Sequence, residues 1–244
     1  MKVVRGRRRV GVVIAGVLTT ALAVGTAVMS AEPAGAAAGH SATLAKAGRA
    51  PFPGKGPRAI LNLSAATMAK ASTVHVKSRF TANGMSGSSE WTAGVTAGTG
   101  VSHGISGGTY RVIRVGSEAW LLGDATFWSG KNAPQGYVNR WVKLVSADYK
   151  QPFAAFTYVS EWSKLVAAQR PIKRVAVRTV HGVPTLGLRD RDGVTLYVAT
   201  RGKPYPVELT YAMSNGQSST DDFDRWNLRY RILAPSADQV AGSI

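Results

Sequence analysis

Three groups of side chains have the types and spacing that chemistry could use. Asp221-Asp222-Phe223-Asp224 puts three carboxylates into four residues, a density that suits Ca²⁺. The liganding-loop pattern with its internal glycine is missing, so the stretch reads as a solvated turn. Asp190 and Asp192 stand two apart, like an acid pair for sugar chemistry. They alternate with Arg189 and Arg191 and run into Gly193, which is the pattern of a polar turn carrying surface ion pairs. His40, His75, His103 and His181 are too scattered for metal-ligand spacing and read as surface or tether residues, His75 on the charged side of a strand. No G-x-S-x-G elbow occurs, and no phosphate-binding glycine loop leads from a strand into a helix. The chain has no cysteine, which removes disulfides, thiolate metal sites, thiol nucleophiles and a lipobox anchor together. These residues specify no catalyst, no cofactor and no metal, and the protein reads as a non-enzyme.

A fourth group points elsewhere. Phe127, Trp128, Tyr137, Trp141, Tyr149, Phe153, Phe156, Tyr158 and Trp162 fall within 36 residues, with Lys131, Arg140, Lys143 and Lys150 between them. Such a cluster can line a cavity for a hydrophobic ligand, stack single-stranded bases, or fill the space between a curved sheet and its helices. The N-terminus bears on that choice. Lys2, Arg5, Arg7, Arg8 and Arg9 precede an uncharged apolar run over residues 10–29, and a small-residue zone follows it. That order is an export signal with A-x-A sites ending at Ala36 and Ala38, or else an uncleaved membrane anchor. Either way the rest of the chain lies outside the cytoplasm, with nucleic acid excluded as a partner. From Gly39 onward 25 Lys and Arg face 12 Asp and Glu, a net +13, so the exported part suits anionic membrane surfaces or acidic polymers.

The elements that must position these residues follow from periodicity. Residues 39–58 are rich in Ala, Gly, Pro and basic residues and read as a flexible linker between the N-terminal segment, 1–38, and one domain, 59–244. Ile60, Leu63, Thr67 and Ala71 recur at helical spacing over 59–72. Residues 73–81 then alternate, with Val74, Val76, Ser78 and Phe80 opposite His75, Lys77 and Arg79. Short strands follow over 89–96, 100–106, 110–115 and 118–122, linked by glycine turns as in an antiparallel meander. A brief strand at 141–144, a helix at 159–169 closed by Pro171, and strands at 174–180 and 184–190 come next. Thr195-Leu196-Tyr197-Val198-Ala199-Thr200 and Val207-Glu208-Leu209-Thr210-Tyr211 form a hairpin around Gly202, Pro204 and Pro206. Ser236 caps a short terminal helix.

Several phrases together resemble a known family. Val115-Gly116-Ser117-Glu118-Ala119-Trp120, Trp141-Val142-Lys143, His181-Gly182-Val183-Pro184, the hairpin with Pro204-Tyr205-Pro206, and Phe223-Asp224-Arg225-Trp226-Asn227 look like actinobacterial exported proteins of the LppX/LprG lipoprotein group, which is similar in turn to the LolA carriers. The resemblance covers residues 60–240. It implies an α+β fold: a curved antiparallel β-sheet half-barrel with helices packed on its concave face, and an apolar cavity between them for acyl chains. The missing cysteine departs from the lipoprotein pattern, so the chain is free or held by its first helix.

Combined with alternation along the strands, the resemblance nominates Val76, Phe80, Trp91, Trp120, Leu122, Phe156, Trp162, Leu196, Val198 and Trp226 as lining that cavity. The function it implies is non-enzymatic binding of a lipid, lipoglycan or other hydrophobic ligand at the cell envelope, with an anionic lipid and the membrane surface as partners. The alternative is an interaction module with a packed interior, using its basic surface to hold an anionic polymer, a membrane surface or a protein.

Overall fold

A computed structural model describes residues 51–244 except 130, 132 and 213–215. The N-terminal segment 1–38 and the linker 39–58 up to residue 50 lie outside the described residues. The chain opens with helix α1 (Pro57–Ala69), whose proline sits at the first turn, where a missing amide costs nothing. Its buried stripe is Ile60, Leu61, Ser64, Ala65 and Met68, whereas Leu63, expected on that stripe, is exposed. Both spacings are helical, and the adjacent pair Ile60-Leu61 decides which one turns inward.

A meander of five strands follows: β1 (Thr73–Ala82), β2 (Met85–Gly94), β3 (Ala97–His103), β4 (Thr109–Val115) and β5 (Glu118–Gly123). Short helix α2 (Ala125–Ser129), strand β6 (Trp141–Lys143), helix α3 (Ala147–Ala154), a 3₁₀ turn at Ala155–Thr157 and helix α4 (Val159–Ala168) then form a helical layer. Strands β7 (Lys173–Val180), β8 (Val183–Arg189), β9 (Thr195–Ala199), β10 (Pro206–Ala212) and β11 (Ser218–Asp224) complete a second meander, and β12 (Val240–Ser243) ends the chain. The result is one curved, unclosed twelve-stranded sheet in the order β12-β6-β5-β4-β3-β2-β1-β11-β10-β9-β8-β7, with helices on its concave side. Every pairing is antiparallel except β12 with β6. β11 closes the gap between the meanders by pairing with both β1 and β10.

This strand is a correction. The carboxylate-rich run at 221–224 was expected to be a solvated turn, yet it lies in β11 with Asp221 buried. Its neighbour β1 offers the basic face that makes the pairing favourable, with Lys77 opposite Asp222 and His75 opposite Asp224. His75 is likewise no surface residue. It is 3% exposed, with Nδ1 2.5 Å from Asp224 Oδ1 and Nε2 2.7 Å from Glu90 Oε1. The terminal helix is a 3₁₀ turn at Ala237–Gln239, capped by Ser236 as its sequence suggests.

Sheet register defines two rims. One rim gathers the start of β1, the β2–β3, β4–β5, β7–β8 and β9–β10 turns and the end of β11. The other gathers the β1–β2, β3–β4 and β8–β9 turns and the end of β5, from which α2 leaves. Among the described residues no helix is long and apolar enough to cross a membrane.

Candidate functional site

Alternation gives each strand an inner and an outer side. Val74 and Val76 on β1, Trp91 and Ala93 on β2, Val112 on β4, Ala119 and Leu121 on β5, Leu196 and Val198 on β9, Leu209 on β10 and Phe223 on β11 share one core with α1, α2 and α4. Across this face runs an unbroken chain of ring contacts. Phe127 meets Trp128, Phe153 and Tyr110, with centroids 4.9, 5.6 and 5.1 Å away. Tyr110 reaches Trp91 at 6.4 Å, Trp91 reaches Phe156 at 5.8 Å, and Phe156 reaches Trp162 at 5.1 Å. Trp162 meets Phe223 edge-on at 5.7 Å, Phe223 lies 6.4 Å from Trp226, and Trp226 stacks on Tyr205 at 4.2 Å. The chain starts where β5 hands over to α2 and ends at the β9–β10 turn, so it crosses the concave face from rim to rim. Each such pair contributes about 0.5–1.5 kcal/mol beyond its buried area.

Glycines let the helical layer come this close. A Cβ at Gly100 would collide with the Trp91 indole, and one at Gly98 with the Thr157 backbone. Arg114 ties the layer down. It is 1% exposed and has no carboxylate partner; its guanidinium donates to the carbonyls of Gly94 and Thr157 at 2.7 and 3.0 Å, to Gly116 at 3.2 Å and to the Thr157 hydroxyl at 3.0 Å. The Tyr158 ring lies 3.7 Å from it. One buried cation thus fastens the 3₁₀ turn ahead of α4 to the β2–β3 and β4–β5 turns.

The aromatic exit at the first rim explains the Phe-x-x-Trp-Asn phrase. Phe223 points inward and Trp226 caps it, while Asn227 Oδ1 accepts from the Ser72 amide at 2.9 Å and Asn227 Nδ2 donates to the Tyr205 hydroxyl at 2.9 Å. Arg225 and Asn227, on either side of Trp226, both adopt positive φ, 49° and 61°. The left-handed region is costly for an arginine, so this turn is held by its partners rather than by local preference.

Of the ten nominated residues, Val76, Trp91, Trp162, Leu196 and Val198 are buried in this core, with Phe156 and Trp226 partly buried against it. Phe80 shares the inner side of β1 and is half-buried. Trp120 and Leu122 are a correction: they alternate with Ala119 and Leu121 and turn to the outer side, where the Lys143 ammonium lies 6.0 Å from the Trp120 ring. Phe127, Trp128 and Phe153 belong to the aromatic cluster that the sequence marks out, whereas Tyr110, Phe223 and Tyr205 were not nominated; Tyr110 and Phe223 carry an alternation signal, and Tyr205, in the β9–β10 turn, carries none.

Among the described residues the sheet and its helices pack closely, and Leu61, Gln169, Pro171, Leu188, Asp190, Val194 and Leu196 bound only a shallow open dent beside α1. One carboxylate interrupts the inner face. Asp221 is 6% exposed, hydrogen-bonds Ser78 and has no cationic partner among the described residues, and burial pushes its pKa up to about 6.

The outer face differs in kind. Arg178 pairs with Glu208, Arg79 with Asp222 at 2.9 Å, His181 with Asp222 at 2.9 Å, and Lys77 with Glu90 at 3.9 Å. His181, Glu208 and Asp222 bring three donor atoms within 4.8 Å of one another, a spacing a metal could use. The guanidiniums of Arg79 and Arg178 already hold both carboxylates, so a cation would have to displace them.

No family model matches the chain, and no curated protein matches it. Similar solved structures exist at low identity. The chain is similar to LprF from Mycobacterium bovis at 11% identity, covering 74% of this chain and 97% of that one, with a TM-score of 0.47. It is similar to the lipoprotein LppX from Mycobacterium tuberculosis at 14% identity, covering 72% and 97%, with a TM-score of 0.41. A LolA superfamily protein from Nitrosomonas europaea aligns at 12% identity over 72% of this chain and 94% of that one, with a TM-score of 0.30.

Proposed function

We propose that this protein is an exported, non-enzymatic binder of a hydrophobic ligand, taken up between the concave face of the sheet and its helical layer. The observation that carries this reading is the rim-to-rim chain of aromatic side chains beneath that layer. A face built from rings offers a ligand apolar surface without a directional demand, and an acyl chain buried there gains about 0.8 kcal/mol per methylene. In this reading uptake moves α3 and α4 away from the sheet, and Arg114, which holds Thr157 between them, is the pivot about which they turn. The basic excess favours a lipid or lipoglycan with an anionic headgroup, held outside the apolar trough because Asp221 would repel an anion within it.

A second reading follows from the close packing of the interior: the rings are permanent packing, and the protein acts only through its surface. Native mass spectrometry of the purified protein, with titration of a fluorescent fatty acid, separates the two. The ligand reading expects copurifying lipid and saturable uptake that is lost when Trp162→Ala or Phe156→Ala reshapes the trough. A protein that elutes without lipid and takes up no probe establishes the packed interior.

A further inference from the structure

Both rims of the sheet carry exposed cations, but at one of them the cations surround exposed apolar and aromatic side chains. The rim at the start of β1 presents Lys70 just before the strand, Arg201 and Lys203 in the β9–β10 turn and Arg225 after β11, all exposed. The acids at this rim are partnered: Asp224 with His75 and, at 4.0 Å, with Arg225, and Glu118 with Lys143. Exposed apolar side chains lie among the cations: Val95 in the β2–β3 turn at 64% and Leu228 at 48%, whose carbonyl accepts from Thr73 Oγ1 at 2.6 Å. The stacked Tyr205–Trp226 pair, end of the interior aromatic chain, opens at the same place. The opposite rim also carries exposed cations, Arg170, Lys173 and Arg174 at the start of β7 and Arg189 and Arg191 at the β8–β9 turn, the latter two interleaved with Asp190 and Asp192, and the rings that end there, Phe127 and Trp128, are buried.

We propose that the rim formed by Lys70, Arg201, Lys203, Arg225, Val95 and Leu228 is a docking surface for an anionic bilayer, with Trp226 at the headgroup level. Clustered cations alone would suit any polyanion. Interspersed, outward-pointing Val95 and Leu228 have no role against a hydrated polymer, but each gains by entering the headgroup region, where amphipathic rings such as Tyr205 and Trp226 also settle. Each arginine or lysine at an anionic surface contributes by an attraction that fades within a Debye length, so the four act together only if they share one plane, as rim turns do. Docking in this orientation sets the aromatic exit against the membrane. The proposal adds a place to the ligand reading but does not depend on it.

The test measures binding of the protein, as exported, to vesicles of phosphatidylcholine alone and of phosphatidylcholine with phosphatidylglycerol, at low and high salt. The native chain is expected to prefer the anionic vesicles by about 100-fold at low salt, a preference that salt removes. A retained N-terminal segment would add its own anionic preference through Lys2, Arg5, Arg7, Arg8 and Arg9, so every variant is compared with the native protein in the same processed form. Lys70→Gln, Arg201→Gln, Lys203→Gln and Arg225→Gln combined should abolish the preference; the same change at Arg170, Lys173, Arg189 and Arg191 should leave most of it. Brominated phosphatidylglycerol should quench native tryptophan fluorescence, and Trp226→Phe should remove most of that quenching, a readout that needs no charge variant to fold. Equal loss in both quadruple variants, no anionic preference, unchanged quenching in Trp226→Phe, or binding of heparin in place of vesicles would overturn the proposal. Fatty-acid uptake by the first quadruple variant should match the native protein, so failed docking and failed ligand binding are read separately.

Discussion

The two faces of the sheet solve the same problem by opposite means. On the outer face each acid meets a basic side chain from another part of the sheet: Glu90 and Asp224 meet His75, Asp222 meets Arg79 and His181, and Glu208 meets Arg178. On the inner face the two buried charges have no such balance. Arg114 is held by carbonyls and a hydroxyl, and Asp221 by a serine. The difference teaches that the inner face was not assembled for stability alone. Ion pairs at a wet surface contribute little each, whereas an unbalanced charge in an apolar layer is costly and persists where position matters.

Removing Arg114 should break this contrast most severely. Arg114→Met keeps the apolar stem but strands the carbonyls of Gly94 and Thr157 in a dry layer, each at about 1–3 kcal/mol. Chemical denaturation should show a loss of about 4 kcal/mol or more. A loss near zero would mean water replaces the guanidinium and the layer is not fastened there.

Asp221 should respond with the opposite sign. Its folded pKa of about 6 stands above the ordinary 3.8, so the folded state holds the extra proton and stability falls as pH rises between those values. Asp221→Asn removes that penalty while keeping an acceptor for Ser78. It should stabilise the protein at pH 7 by about 3 kcal/mol, with the gain gone below pH 4. A destabilised variant at pH 7 would show that an unseen cation satisfies the carboxylate.

Much of this architecture is written in the chain's periodicity. The alternation of Val74, Val76 and Phe80 against His75, Lys77 and Arg79 gives β1 and its inner side, and Gly202, which adopts φ 68°, marks the β9–β10 turn. β11 was hidden because aspartate disfavours strands; only the basic outer face of β1, distant in sequence, supplies the compensation. Trp120 and Leu122 were misassigned because β5 is apolar on both sides, and period-two alternation then names two faces without saying which one is inward. The aromatic chain shows the same division. Cluster density in the sequence announces rings, but the link from Phe223 through Trp226 to Tyr205 depends on Asn227 bonding across to Ser72 and Tyr205.

The smallest effect belongs to the outer face, and it is the one that tests the comparison most directly. Glu90 is half exposed, and its hydrogen bond to His75, reinforced by Lys77, holds its carboxyl below the ordinary 4.5. A carboxylate with a lowered pKa stabilises the fold above its unfolded value, and that contribution is lost as pH falls through the folded one. Glu90→Gln should therefore cost less than about 1 kcal/mol at pH 7, solvent screening the pair, and the difference from the native protein should shrink below pH 4.5. The Asp221→Asn effect shrinks from higher pH, between about 6 and 3.8, and from a gain rather than a loss. Unfolding curves of the two variants at pH 7 and pH 4 should thus converge on the native curve from opposite sides. Two variants displaced in the same direction at pH 7 would mean that the faces do not differ in how their charges are balanced.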